Sequence, residues 1–170
     1  MSDRSQGETA LVQLSERLTN SAAFGTLFRD GMDLVEETAA YLDGVGRTEA
    51  KALDRSVSLT YATESMRLTT RLMQLASWLL LHRAVKEGEM TLSQANREKT
   101  KVKLSAADPG PDEMLEKLPK QLQDLIARSM SLQTKVRRLD ATIHAPPAER
   151  AAIGNPLVPQ LNRLKAAFER

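Results

Sequence analysis

Cysteine is absent from this chain, which removes disulfides, thiolate catalysis and zinc–thiolate sites. Histidine occurs only at positions 82 and 144. Neither has the His-x-x-x-His or Glu-x-x-His spacing that builds a metal site on a helix. No glycine-rich phosphate loop, nucleophile elbow or dinucleotide fingerprint is present. Glu36 and Glu37 are adjacent, so on a helix they face different sides and do not form a working carboxylate pair. We therefore assign no catalytic, cofactor-binding or metal residue and expect a non-enzymatic protein with no cofactor. Charge of one sign is also missing. Twenty-four Lys and Arg offset twenty-two Asp and Glu, so the pI near 9.0 does not call for nucleic acid or an acidic membrane. Long apolar runs are lacking, since Gln74, Ser77, His82 and Arg83 break the most apolar stretch well short of about 20 residues. The polar start, Met1 to Gln6, has no secretory h-region, and the cytoplasm is the expected compartment. Aromatics make up only 4%, which suits helices packed through Leu, Ala and Met.

What the chain does contain is helical periodicity. Forty-one residues, Arg47 to Glu87, run without Gly or Pro, with Thr48 placed as an N-cap and Gly88 as a stop. One helix over that stretch spans roughly 60 Å. Its first stripe is Val57, Tyr61, Leu68, Leu72, Leu75 and Leu79. A second, adjacent stripe is Ala62, Met66, Met73, Ala76 and Leu80, and a third short line is Trp78, Leu81 and Val85. From Leu72 to Val85 the helix is apolar almost all round and needs cover on several sides. A second copy of the chain is the simplest cover, so a homodimer is expected through Leu72, Trp78, Leu79, Leu81 and Val85. The alternative is that a short helix at 92–103 covers this face internally.

An earlier helix is expected over 21–42, with a seam of Phe24, Phe28, Met32 or Gly31, Val35, Ala39 and Leu42. The short Asp43–Gly46 turn makes it antiparallel to the long helix. Ser105 to Pro111 reads as a loop. Past Pro119, the positions Leu122, Leu125, Ser129, Leu132, Val136, Leu139 and Ile143 form a narrow seam for one neighbour. Ser129 leaves a gap in it for a large side chain from elsewhere. The fold class is therefore all-α: an elongated antiparallel three-helix bundle with one long central helix and a flexible C-terminal tail. The expected division is a loosely ordered arm at 1–20, the bundle at 21–144, and a linker with a short amphipathic helix at 145–170. In that tail Leu157, Leu161, Leu164 and Phe168 repeat as four, three, four, one face of a partner-binding helix. Glu64, Arg67 and Arg71 form a helix-spaced charge group, read either as ordinary salt bridges or as a partner-specifying set at a dimer interface.

Two segments carry a resemblance. SAAFGTLFRDGMDLVEETAAYLDGVGRTEAKAL at 21–53 and LTYATESMRLTTRLMQLASWLLLHRAVKEGEM at 59–90 closely resemble the RcdA-like family (regulator of CtrA degradation) of alphaproteobacteria. The ending AAFER looks like the family's C-terminal end. His82 stands where the family is associated with Gln, and Asp30 where it is associated with Glu. The resemblance implies a dimeric three-helix bundle with a mobile tail, acting as a cytoplasmic adaptor. Such proteins help deliver cell-cycle regulators, including the response regulator CtrA, to the ClpXP protease. They act on a protease primed by a CpdR-type single-domain response regulator, and they recruit cargo or further adaptors. The alternative reading, a helical DNA-binding transcriptional regulator, is suggested by the pI and needs a short recognition helix after a tight turn; the long central helix and the balanced charge count against it. No nucleic-acid or membrane partner is therefore expected.

Overall fold

The computed structural model describes residues 22–99 and 110–144. Among these residues the regular structure is all helical: α1 (Ala22–Asp43), α2 (Val45–Lys51), α3 (Arg55–Lys86), α4 (Leu92–Lys99), α5 (Asp112–Leu115) and α6 (Lys120–His144). The long helices α1, α3 and α6 form a three-helix bundle, and α3, with 32 residues and about 48 Å of length, is its central element. The expected arm at 1–20 and the tail at 145–170, with Leu157, Leu161, Leu164 and Phe168, lie outside the described residues, as does most of the loop before Gly110.

The buried side of α1 is Phe24, Leu27, Gly31, Leu34, Thr38 and Tyr41, a three–four alternation. It is rotated by about one residue from the expected seam, so that Phe28, Met32, Val35 and Leu42 are only partly buried beside it. Gly31 explains the rotation. A Cβ there would lie 2.5 Å from Leu79 Cδ1, so the bare backbone lets α1 approach α3 most closely along this line.

The expected forty-one-residue helix is two helices, α2 and α3, parted at 52–54. Thr48 sits inside α2 and is not a cap; Asp54 holds the N-cap position of α3 with an extended backbone (φ −61°, ψ 153°). No Gly or Pro marks this break, because its cause is tertiary. The Tyr41 hydroxyl donates to Glu49 Oε2 at 2.6 Å, tying α2 back to α1. At Gly46 an added Cβ would lie 2.6 Å from the Tyr61 hydroxyl and 2.7 Å from the Tyr41 carbonyl oxygen. Two tyrosines thus clasp α2, and an extension collinear with α3 would lose both contacts.

The far end of α3 follows the sequence. Gly88 takes φ +75°, and Glu89 N–H donates to the Ala84 carbonyl at 3.0 Å, which closes the helix. A capping box then starts α4: Thr91 N–H donates to Gln94 Oε1 at 2.9 Å, and Gln94 N–H donates to Thr91 Oγ1 at 3.1 Å.

Helix directions follow from cross-contacts. Gly31 faces Leu79 and Tyr41 approaches Tyr61 over Gly46, so α1 and α3 are antiparallel. Gly31 also lies near Leu132 while Arg128 pairs with Glu37, so α1 and α6 are antiparallel too. Arg71 meets Ser129 and Trp78 meets Asp140, so α3 and α6 run the same way.

The seam of α6 is as spaced in the sequence, with Leu122, Leu125, Ser129, Leu132, Val136 and Ile143 buried and Leu139 only partly so. Ile126 and Gln133 are buried as well, and the wider stripe serves both α1 and α3 instead of one neighbour.

Candidate interaction surface

Burial sorts the three apolar lines of α3. The first line, Leu68, Leu72, Leu75 and Leu79, is core, at 0–4% exposure. Of the residues expected at a dimer contact, Leu72, Trp78 and Leu79 thus lie inside one chain, and Leu81 and Val85 are only half-exposed. The expected interface is corrected accordingly: three of its five residues present no surface to a partner. The physical reason is cover within the bundle: Leu79 packs against Gly31 of α1, Leu72 lies where α3 meets α1, and Trp78 meets Phe24 of α1 and Asp140 of α6. The short helix α4 packs on α3 and buries Ala95, which gives this end of the helix its extra cover in cis.

A polar cluster fastens that cover. Trp78 Nε1–H donates to Asp140 Oδ1 at 2.8 Å, and Lys99 Nζ donates to Asp140 Oδ2 at 2.6 Å. One carboxylate therefore joins α3, α4 and α6. His82, fully buried, stacks on Trp78 with ring centroids 3.9 Å apart. Burial pushes its pKa below the ordinary value of 6.5, with the Trp78 carbonyl and Asp140 acting in the opposite direction. The imidazole is a packing element, and among the described residues no group of His, Asp and Glu is arranged to hold a metal ion.

The charge group divides in the same way. Glu64, 2% exposed, accepts from Arg67 Nη1 at 2.6 Å and from Gly110 N–H at 3.1 Å, which pins Gly110 to α3. Arg71 turns inward and donates to Ser129 Oγ at 3.0 Å, so the gap in the α6 seam receives a large side chain. The partner-specifying role is not available to Glu64 or Arg71, since both are buried within one chain.

What remains outside is the second line. Leu59, Met66, Met73 and Leu80 are 72%, 72%, 67% and 52% exposed and recur every seven residues. Three residues after each of the first three come Ala62, Thr69 and Ala76, all small. Large residues alternating with small ones at heptad spacing describe a face for another helix. The sequence showed Met66, Met73 and Leu80 of this line with the small Ala62 and Ala76; it did not show Leu59, or which of the adjacent lines the chain itself would cover. Beside it, between α1 and α3, lies an apolar groove of about 300 Å³, with Val35, Ala39 and Leu42 on one wall, Met73 and Ala76 on the other and Leu72 in the floor.

Among the described residues no helix is long and apolar enough to cross a membrane. A family model described as a protein of unknown function, DUF1465, matches residues 15–168. The crystal structure of RcdA from Caulobacter crescentus CB15 matches with 47% sequence identity and a TM-score of 0.64, over 77% of this chain and 98% of that one. No curated protein matches the chain.

Proposed function

The chain belongs to the RcdA-like (DUF1465) family, and we propose that it is a non-enzymatic adaptor that promotes regulated proteolysis of cell-cycle factors, a CtrA-type response regulator and other cargo among them, by the ClpXP protease. It acts in the cytoplasm on a protease primed by a CpdR-type response regulator. The observation that carries the reading, beside family membership, is the uncovered heptad line of α3 on a bundle whose polar clusters are structural. Such a molecule meets other proteins through a shaped apolar face. Self-association belongs to the same proposal, but through the exposed Leu59–Met66 part of α3 in place of Trp78 and Leu79. The tail face of Leu157, Leu161, Leu164 and Phe168 is proposed as a second recognition element.

The test is direct binding. Fluorescently labelled protein is titrated with the ClpX unfoldase, with and without the priming regulator, and followed by anisotropy. Binding that depends on the priming regulator supports the adaptor reading. Absence of binding under both conditions contradicts it.

A further inference from the structure

The groove between α1 and α3 has two unlike walls. The α3 wall is neutral: Met73 and Ala76 line it, and the charged residues of that stretch, Glu64, Arg67 and Arg71, are engaged elsewhere. The α1 wall belongs to an acidic helix, with Asp30, Asp33, Glu36, Glu37 and Asp43 against the single cation Arg29. Glu37 turns to α6 and pairs with Arg128 at 2.7 Å, and Asp30 and Asp33 line a separate cleft with Arg128 and Lys135 of α6. Glu36 and Asp43 do not follow them. They are exposed, stand seven residues apart, and by helical phase flank the side of α1 that lines the groove; Asp43 lines it directly. Asp43 is also 3.4 Å from Arg47, an exposed pair that solvent weakens.

The floor holds a second signal. Thr38 is 3% exposed, lines the groove, and its hydroxyl has no hydrogen-bond partner among the described residues. A buried hydroxyl without a partner loses its hydration for nothing in return, unless an occupant supplies an acceptor or a donor.

We propose that this groove is the docking site for a basic amphipathic helix of a partner protein, its apolar face at i, i+3/i+4, i+7 seated between Ala39 and Ala76 and its cations aligned along Glu36 and Asp43. The partner chemistry rests on the adaptor reading, which requires a protein partner but leaves its surface unspecified. The charge on one wall fixes the orientation of the guest helix, and the short side chains of Ala39 and Ala76 admit it closely.

The experiment uses the full chain and two labelled peptides of identical apolar face, one with Lys and Arg along an edge and one with Glu at the same places, read by fluorescence anisotropy at low and moderate salt. The basic peptide is expected to bind at least about tenfold more tightly than its acidic twin, with the gap narrowing as salt rises. Glu36→Lys combined with Asp43→Lys is expected to weaken the basic peptide by about tenfold, the scale of two exposed ion pairs, and to strengthen the acidic one. Ala39→Glu should abolish both while leaving the melting curve in place, since Ala39 is exposed. Equal binding of the two peptides, or affinities unmoved by these variants, would overturn the proposal. So would a tighter peptide complex after removal of 145–170, which would make the chain's own tail the occupant. Conversion of a dimer to a monomer by Ala39→Glu would make a second copy the occupant and overturn it as well. The adaptor reading fails separately, if wild-type protein does not engage the primed protease, because the peptide titration contains no protease.

Discussion

Trp78 donates its indole N–H to Asp140 across 2.8 Å, from the most buried part of α3 to a residue near the end of α6. The other oxygen of the same carboxylate holds Lys99 of α4. This bond fixes the rotation of α3 at its crowded end and draws α4 over it, so the apolar surface that suggested a dimer at Trp78 is closed within one chain.

Asp140→Ala should therefore destabilise the fold by about 1–3 kcal/mol, the range for a buried donor left without its acceptor. Asp140→Asn keeps an acceptor for the indole and should lose less. Urea unfolding followed by circular dichroism gives the midpoints, and the tryptophan emission of the Ala variant should move to longer wavelength as α4 loosens. An unchanged midpoint would show that the carboxylate is not what joins the three helices.

The stacked imidazole gives a pH dependence with a defined sign. Burial depresses the His82 pKa below its ordinary 6.5, so the unfolded chain takes up a proton that the folded chain resists. Stability is full above about pH 6.5 and falls as the pH drops below it, until the depressed folded value is reached, with a slope of at most about 1.4 kcal/mol per pH unit. Asp140 and Lys99 face the ring and act on it in opposite directions. His82→Gln should lower the starting stability through lost stacking and flatten the slope between about pH 6.5 and 5. Equal slopes in the two proteins would assign the acid sensitivity elsewhere. The Glu37 carboxyl, held low by its bond to Arg128, contributes only below its ordinary 4.5, outside that window.

Self-association should respond to the exposed line of α3 and not to the buried one. Met66→Glu, or Leu59→Glu, should shift a dimer to a monomer in analytical ultracentrifugation with little change in melting temperature, because both positions are exposed. Leu79→Glu places a charge in the core and should unfold the chain instead. A dimer that survives Met66→Glu and Leu59→Glu together would remove this face from the interface.

Much of this architecture was legible in the sequence, and the parts that were not share a cause. The spacing of the α6 seam (though not its width), the Gly88 stop and the gap at Ser129 are local signals, and the structure matches them. The break before Asp54 carries no Gly or Pro, since it comes from Tyr41 and Tyr61 clasping Gly46 from other parts of the chain. The dimer residues erred for a related reason. Leu72, Leu79 and Met73 look alike in a periodicity, and only the docking of α1, α4 and α6 decides which of them is covered. Asp140 could not be singled out at all: an acidic residue late in a helix has no pattern that announces a tryptophan sixty-two positions earlier.

The most direct measurement of the adaptor reading is the initial rate at which a CtrA-type substrate disappears in a reconstituted reaction of ClpXP, ATP and the priming regulator, with and without this protein. The expected result is faster degradation that saturates with protein concentration, requires the priming regulator and falls when residues 145–170 are removed. A rate indifferent to the protein at every concentration, across the cargo tested and with the priming regulator present, would contradict it.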